Sequence, residues 1–474
     1  ATGSISADAT STADSTLVSV TLEGAAQGIV AAAALVDGDT EAQADATGID
    51  GAQGRDTVTN AAGVTTTASA TASSTSVSVS VEGVLQGIAG GAALANTETK
   101  STATASGISG ADDDDAITNT GVISSTSTSS SHSTSVTVTI PAAIDGAALG
   151  LALGDASTTS QASSVGTDGG LGTDTIVNGQ DITVSATATS DSDSVSVSIP
   201  VSPEAVTVAA SLAFADSTAT AVGIGISGGD GIDTITTGTE TITANTSSTA
   251  QTLGVSADIA ASIIGGGFTM LETETISQAV SIAVSGGGGD DTITSGATLA
   301  GLAEAYGKTD AVSGSIAALD VALVDASANA TAWFAGIEGG TGADTVLYTG
   351  SMDFTAASDG TGLGVGAAIG LFGYISGDVA VTSNAYATGL TGGTLIPGVP
   401  DTDTDLVTNR GTIAVTADAD AAGRSVAAEL IGITQADGTT TATGSSAGIR
   451  GDGGNDILRN EGTAGATTYA DATG

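Results

Sequence analysis

An acidic, glycine-rich decapeptide recurs along this 474-residue chain and strictly limits how the chain can fold. Most copies combine glycines with an aspartate and then alternate Thr with Ile or Val, as in GGDGIDTITT from Gly228. In the first four copies the shared aspartate returns every 59 residues. A constant long period is typical of stacked repeats, so we expect residues 1–474 to form one continuous array. The eight islands are residues 51–60, 110–119, 169–178, 228–237, 286–295, 339–348, 400–409 and 451–460.

The residues between the islands alternate with a period of two, which predicts β-strands. SVSVSV from Ser76 is the clearest case, and no long stretch has the period and caps of a helix. Small side chains facing inward imply a thin core. We therefore predict an all-β fold, a repetitive parallel β-solenoid of seven to eight repeats. Its coils would stack roughly 4.8 Å apart, with one or two coils per repeat.

Stacking in register predicts two columns of side chains. An apolar residue follows each shared aspartate by two positions and should form an inward aliphatic stack. An asparagine often follows by four positions and could hydrogen-bond from coil to coil, although exposed turn asparagines fit the pattern equally well. The first column is Val58, Ile117, Ile176, Ile235, Ile293, Val346, Val407 and Leu458; the second is Asn60, Asn119, Asn178, Asn409 and Asn460.

The charge of the chain excludes several functions. Its 52 acidic and 7 basic residues give a formal charge of −45, which resists compaction unless cations neutralise it. Nucleic acid and anionic membranes are unfavourable partners because there is no basic patch. The chain has no cysteine and one histidine, so a His-containing triad or a zinc site is very hard to build. We expect that the protein is not an enzyme.

The islands have the composition of a calcium site. Glycine permits positive φ, so a glycine-rich turn can direct several carbonyls to one point. An aspartate beside that turn can complete the six to eight oxygen ligands that Ca²⁺ prefers. Stacked aspartates would repel each other strongly without cations. The predicted ligands are the shared aspartates Asp56, Asp115, Asp174, Asp233, Asp291, Asp344, Asp405 and Asp456, assisted by Asp112, Asp114, Asp168, Asp230, Asp290 and Asp403.

These islands resemble the RTX family of haemolysin-type calcium-binding repeats, whose consensus is G-G-x-G-x-D-x-(apolar)-x. GGLGTDTIV, GGDGIDTIT, GGGGDDTIT and GGTGADTVL match it in full, whereas GADDDDAIT and PDTDTDLVT carry aspartates in place of glycines. The resemblance covers about nine residues per repeat and implies calcium bound by the shared aspartate and turn carbonyls. It also implies export from the cell. Family members repeat the nonapeptide in tandem, whereas here it occurs once per long repeat.

The favoured function is a secreted structural protein at the cell surface. The chain begins and ends at nearly the same phase of the repeat, so we expect copies to stack head to tail into a filament, sheath or surface layer. The expected partner is the protein itself, with cell-surface polysaccharide as a further partner and no membrane insertion. Three alternatives stay open: the stalk of an RTX-type adhesin, an ice-binding protein with Thr columns, and an RTX-tailed enzyme.

Overall fold

A computed structural model describes residues 3–395 and 402–474 of the chain. All the regular secondary structure in these two segments is β-strand, and every strand pair is parallel. The described part of the chain contains no helix that could cross a bilayer. The predicted all-β parallel solenoid is confirmed. Pro400 and Asp401, which begin the seventh island, lie outside the described residues.

Long and short strands alternate along the chain. The strands of the first five repeats are β1 (Ser4–Asp50), β2 (Thr57–Asn60), β3 (Gly63–Ser109), β4 (Ala116–Asn119), β5 (Ile123–Asp168), β6 (Thr175–Asn178), β7 (Ile182–Ser198), β8 (Val201–Asp230), β9 (Thr234–Thr237), β10 (Thr241–Ile259), β11 (Ala261–Gly288) and β12 (Thr292–Ser295). The others are β13 (Thr298–Ile316), β14 (Leu319–Thr341), β15 (Thr345–Tyr348), β16 (Ser351–Ile369), β17 (Phe372–Thr391), β18 (Leu406–Asn409), β19 (Thr412–Glu429), β20 (Gly432–Ala436), β21 (Thr439–Arg450), β22 (Ile457–Asn460) and β23 (Thr463–Thr473).

One repeat makes one coil. Strand β1 pairs with β3 so that Ser4 lies beside Gly63, a shift of 59 residues, and β3 pairs with β5 with the same shift. The short strands stack in the same way into a second sheet, from β2 to β22. The sequence was compatible with one or two coils per repeat, and the strand pairing shows that there is one. The described residues form eight complete coils and begin a ninth with β23.

Each coil is flattened because its long segment doubles back on itself. In the second coil Ser76 Oγ donates to the Asn96 carbonyl (3.3 Å), so the two halves of β3 face each other. Gly87, with a φ of 136°, lies at the fold between them. We call residues before this fold the outgoing arm, the fold itself the far turn, and residues after it the return arm. The island and the short strand close the coil at the opposite end, which we call the acid corner.

The aliphatic core lies at the acid corner, where three sides of the coil meet. The predicted inward stack is confirmed: Ile117, Ile176, Ile235, Ile293, Val346 and Val407 are fully buried. It is incomplete at the ends, since Val58 is only partly buried and Leu458 is 47% exposed. Ile123, Ile182 and Ile242 of the outgoing arms pack against it. This core fixes the position of the aspartate two residues before each member of the stack.

Between the two arms the interior contains both small polar side chains and clusters of alanine. Buried Ser and Thr hydroxyls bridge the arms: Ser101 Oγ lies 2.6 Å from Ser129 Oγ, and Ser78 Oγ donates to the Ala34 carbonyl (2.9 Å). These small side chains let the arms approach closely, which confirms the predicted thin core. In the SVSVSV alternation the serines point inward and are fully buried. The valines therefore face outward, and one outward column is valine in all eight coils: Val18, Val77, Val136, Val195, Val255, Val312, Val365 and Val426.

The asparagine ladder is confirmed where asparagines are adjacent. Asn60 Nδ2 donates to Asn119 Oδ1, and Asn119 Nδ2 donates to Asn178 Oδ1, both at 2.7 Å. Asn409 and Asn460 make the same bond at 2.9 Å. Asn119 also binds both the amide and the carbonyl of Gly121. The ladder thus joins neighbouring coils and closes the turn that follows each short strand.

Replacing Asn119 by alanine should lower the free energy of unfolding by about 1–3 kcal/mol, because the substitution leaves buried partners without hydrogen bonds. Asn460→Ala is the matched control, since Asn460 is exposed in the last short strand. Urea unfolding followed by circular dichroism measures both. Equal losses in the two variants would contradict a ladder that stabilises the coils from within.

Candidate metal centre

The island turn has the same backbone form in the first six islands and in the eighth. Its second and fourth residues adopt positive φ, as in Gly229 (100°) and Gly231 (149°). In the second island Ala111 (79°) and Asp113 (74°) occupy these positions, so this turn forms without glycine at either of them. The consensus glycines at positions two and four are therefore explained by left-handed backbone.

Seven of the eight islands begin with a glycine, and this first glycine has a different role. A Cβ on Gly228 would overlap the carbonyl of Gly286 in the next coil and lie 2.7 Å from Asp233 Oδ2. The first glycine therefore makes room for the shared aspartate. This close approach explains why glycine precedes the aspartate by five residues.

The shared aspartates form a hydrogen-bonded column. The backbone amide of Asp56 donates to Asp115 Oδ1 at 2.7 Å, and the same bond recurs from coil to coil down to Asp456 at 2.7–3.1 Å. The predicted column is thus present in the structure. Sequence reasoning did not find the amide bond that builds it, although the strict spacing between the aspartate and the buried strand is the pattern that could have indicated it.

The second oxygen of the column points into the island turn. In Asp56, Asp115, Asp174, Asp233 and Asp291 the Oδ2 atom is buried and accepts no hydrogen bond. Burying a carboxylate oxygen without a partner costs several kcal/mol unless a proton or a cation supplies the missing interaction. Since Oδ1 is already used, Oδ2 is the atom available to a cation.

The electrostatics of the column reflect this burial. Burial raises the pKa of Asp233 to about 6 and that of Asp291 to about 7, and neighbouring carboxylates add to the rise. The amide of the preceding aspartate opposes the rise without cancelling it. Burial also raises the pKa of Asp174. A bound cation would favour the ionised form and reverse these shifts.

The six assisting aspartates lie in different environments. Burial raises the pKa of Asp168, which lies near enough to Asp174 and Asp233 for their charges to interact. Asp114 pairs with Arg55 and accepts the Thr173 amide (3.0 Å), whereas Asp290 accepts the Ala343 amide (2.9 Å). Asp112 is half-buried, and Asp230 and Asp403 are exposed. The structure thus brings Asp168 to the column and uses Asp114 and Asp290 to hold the next coil.

A calcium ion here would depend mainly on carbonyl ligands. In residues 3–395 and 402–474 no group of three or more His, Cys, Asp or Glu side chains is arranged to hold a metal. The fitting donor set is one aspartate Oδ2 per coil together with turn carbonyls, which are hard oxygen ligands suited to Ca²⁺. The six assisting ligands stay a prediction, as does calcium itself.

The outer face of the short strands carries exposed threonines. One column on this face is a stack of Thr175, Thr234, Thr292 and Thr345. The column ends at Leu406 on one side and is separated from Thr57 by Ala116 on the other. The Thr columns that suggested ice binding are therefore exposed for part of the stack. Ice binding stays a prediction.

Comparison with protein-family models, with curated proteins and with solved structures gives no significant match. The RTX resemblance therefore stays a prediction that depends on the island residues alone.

The cation-free protein should become less stable as the pH rises from 5 to 8. Asp233 and Asp291 have pKa values of about 6 and about 7 in the fold, above the usual value for an unfolded aspartate of about 3.9. The folded state therefore binds more protons, and the stability that this provides is lost as the pH passes through 6 to 7. Melting temperatures measured in chelator between pH 4.5 and 8.5 give the profile.

Asp291→Asn should flatten that profile, because the amide does not titrate and still offers an oxygen to the Asp233 amide. The control is Asp353→Asn, which removes one exposed charge from an outgoing arm. A melting temperature that stays constant or rises with pH in the unsubstituted protein would contradict the assignment.

Proposed function

We propose that this chain is a structural rod of the cell surface whose coils are held together by calcium at the acid corner. The observation that carries the proposal is the line of buried Oδ2 atoms, five of which accept no hydrogen bond. A protein of charge −45 that stacks carboxylates in its interior needs cations to compensate them. Calcium is the cation favoured by the oxygen donors and by the RTX resemblance.

The role is structural rather than catalytic in this proposal. The buried acids repeat with the coil, which fits a stabilising column better than one active site. The single histidine, His132, lies half-exposed on an outgoing arm, 3.3 Å from Asp191. Secretion is supported by the resemblance and by the lack of cysteine. The stalk of an adhesin is the runner-up and would use the same rod as a spacer.

Head-to-tail assembly is supported by the strand edges at both ends of the stack. Among the described residues β1 pairs with β3 alone and β23 with β19 alone. Each end therefore presents a row of backbone donors and acceptors that can pair with another parallel strand. We infer that a coil of a second copy extends the sheet, with calcium at the seam.

Calcium should raise the melting temperature of the chain, since a ligand that binds only the folded state stabilises it by about 2.7 kcal/mol per site at a hundredfold excess over Kd. Asp233→Asn keeps the oxygen that accepts the Asp174 amide but removes the charge, so it should reduce the calcium response. Asp353→Asn removes a charge elsewhere and should leave the response intact. Circular dichroism melts in calcium and in chelator would disprove the proposal by showing no difference.

Filaments should form in millimolar calcium and shorten when chelator is added, because the seam shares the corner geometry. Negative-stain electron microscopy and light scattering follow this directly. A stable monomer of 44.5 kDa in calcium, or filaments unchanged by chelator, would argue against calcium-linked stacking.

A further inference from the structure

The far half of the rod is apolar on the outside. Two outward columns beyond the valine column of the outgoing arms, toward the far turn, lies a column that includes Ile140, Ile259, Ile316 and Ile369. The return arms carry Leu35, Leu94, Leu153, Leu212, Met270 and Leu323 in one outward column. We call this surface the apolar jacket. It comprises the outward columns that begin at Val18, Val20 and Leu22 on the outgoing arms and at Ala31, Ala33 and Leu35 on the return arms.

The jacket is exposed and nearly uncharged in a strongly acidic chain. Phe372 is 71% exposed and Leu319 is 61% exposed on the return arms, and Ile369 is 56% exposed on the outgoing arms. Glu82 and Asp258 lie at the same height in the coil, but both point inward and are buried. Glu23, Asp145 and Glu204 near the far turn are the exposed acids of this region. Large exposed apolar surfaces of this kind mark interaction sites.

Charged columns border the jacket toward the acid corner. Next to the leucine column the return arms carry Asp37, Asp155, Glu272, Asp325 and Asp378. The corresponding border of the outgoing arms has mixed charge. Two of the seven basic residues of the chain, Lys308 and Arg424, lie there beside acids such as Asp310.

We propose that the jacket is the surface on which a second copy of this chain packs side by side, outgoing face against return face. Both faces are parallel sheets with the same spacing of coils, so side chains of one rod can fit between those of the other at every coil. The outgoing face is shallow, with Val, Ile and Ala, whereas the return face carries the larger Leu, Phe and Met. Unlike faces therefore fit better than like faces.

Charge and area also favour this partner. Pairing unlike faces sets the acidic border of one rod against the mixed border of the next, whereas two return faces would set acid against acid. An anionic lipid surface would be repelled by the same border. Three columns across eight coils cover roughly 13 Å by 38 Å, or about 500 Å² per face. One contact between two rods therefore buries about 500 Å² per partner, or about 1,000 Å² in total, which reaches the lower bound expected of a specific interface.

Packing of unlike faces does not close on itself, so it gives layers of rods. The proposal extends the structural role argued above by adding lateral contacts, and it does not depend on calcium at the acid corner. Failure of the lateral-packing proposal can therefore be distinguished from failure of the calcium proposal.

The test compares the width of assemblies in negative-stain electron microscopy. One variant changes the outgoing face (Val312→Thr with Ile316→Thr), and one changes the return face (Leu319→Thr with Phe372→Thr). Threonine keeps the preference for β-structure. The control, Val122→Thr with Val177→Thr, changes two comparably exposed apolar residues in or beside the short strands β4 and β6, outside the island turns. Circular dichroism in calcium and in chelator checks that each variant folds and keeps the calcium response.

We expect the unsubstituted protein and the control to form assemblies several rods wide, and each face variant alone to give single rods. An equimolar mixture of the two face variants should give pairs of rods and nothing wider, because one intact face of each kind remains. The proposal is overturned if the unsubstituted protein stays one rod wide at all concentrations. It is also overturned if a face variant still forms wide assemblies or pairs with itself, or if the protein floats with phosphatidylcholine vesicles and remains single rods.

Discussion

The structure depends on parallel pairing in strict register between successive coils. The aspartate column is the part of the structure that tolerates a shift of this register least. Each shared aspartate must place Oδ1 within reach of an amide in the preceding coil while Oδ2 fits beside a glycine. A slip of one residue would move the carboxylate to the outside and an exposed threonine into the core. The glycine turn, the aliphatic stack and the asparagine ladder all follow from keeping this column aligned.

The interior between the arms contains many small polar side chains, so the coils are held together differently from those of an ordinary sheet protein. In an ordinary sheet protein one face is buried because it is apolar. Here the arms bury Ser and Thr, and hydroxyls such as those of Ser125 and Ser164 (2.9 Å apart) satisfy one another across the gap. Stability within the arms thus comes from the packing of alanine, from hydrogen bonds between small side chains and from the long parallel ladders. The apolar residues of the arms are divided between the two faces: Ala68, Leu271 and Val324 are buried between the arms, whereas the jacket residues lie outside.

Much of the fold could be predicted from the sequence because every coil of a stacked array repeats the same pattern of residues. The period of 59 residues, the aspartate column and the inward position of Ile117 and its equivalents all follow from aligning the islands. Alternation alone could not decide which way Val77 points, since a period of two has two phases and the usual rule would place valine inside. The number of coils per repeat also needed the structure, because the far turn is marked only by a short segment around Gly87. The amide partner of Oδ1 is a backbone group, so only the strict spacing between the aspartate and the buried strand could have indicated it.

In cross-section, the aspartate column and the apolar jacket lie at opposite ends of each coil. The distance between them determines which contacts a cation at the acid corner can influence. An arm of about 20 residues places the acid corner roughly 60 Å from the far turn, many times the Debye length of about 8 Å at physiological ionic strength. The calcium proposed for the corner would therefore not relieve repulsion between the acidic borders of two rods. The acids that can oppose lateral packing are those of the border column, such as Asp37 and Asp325, one side chain away from the leucines. Those acids are exposed, so any dissolved salt screens their charges. Stability of a single rod should thus follow the specific cation at the corner, whereas contact between rods should follow ionic strength, and the two dependences can be separated in one protein.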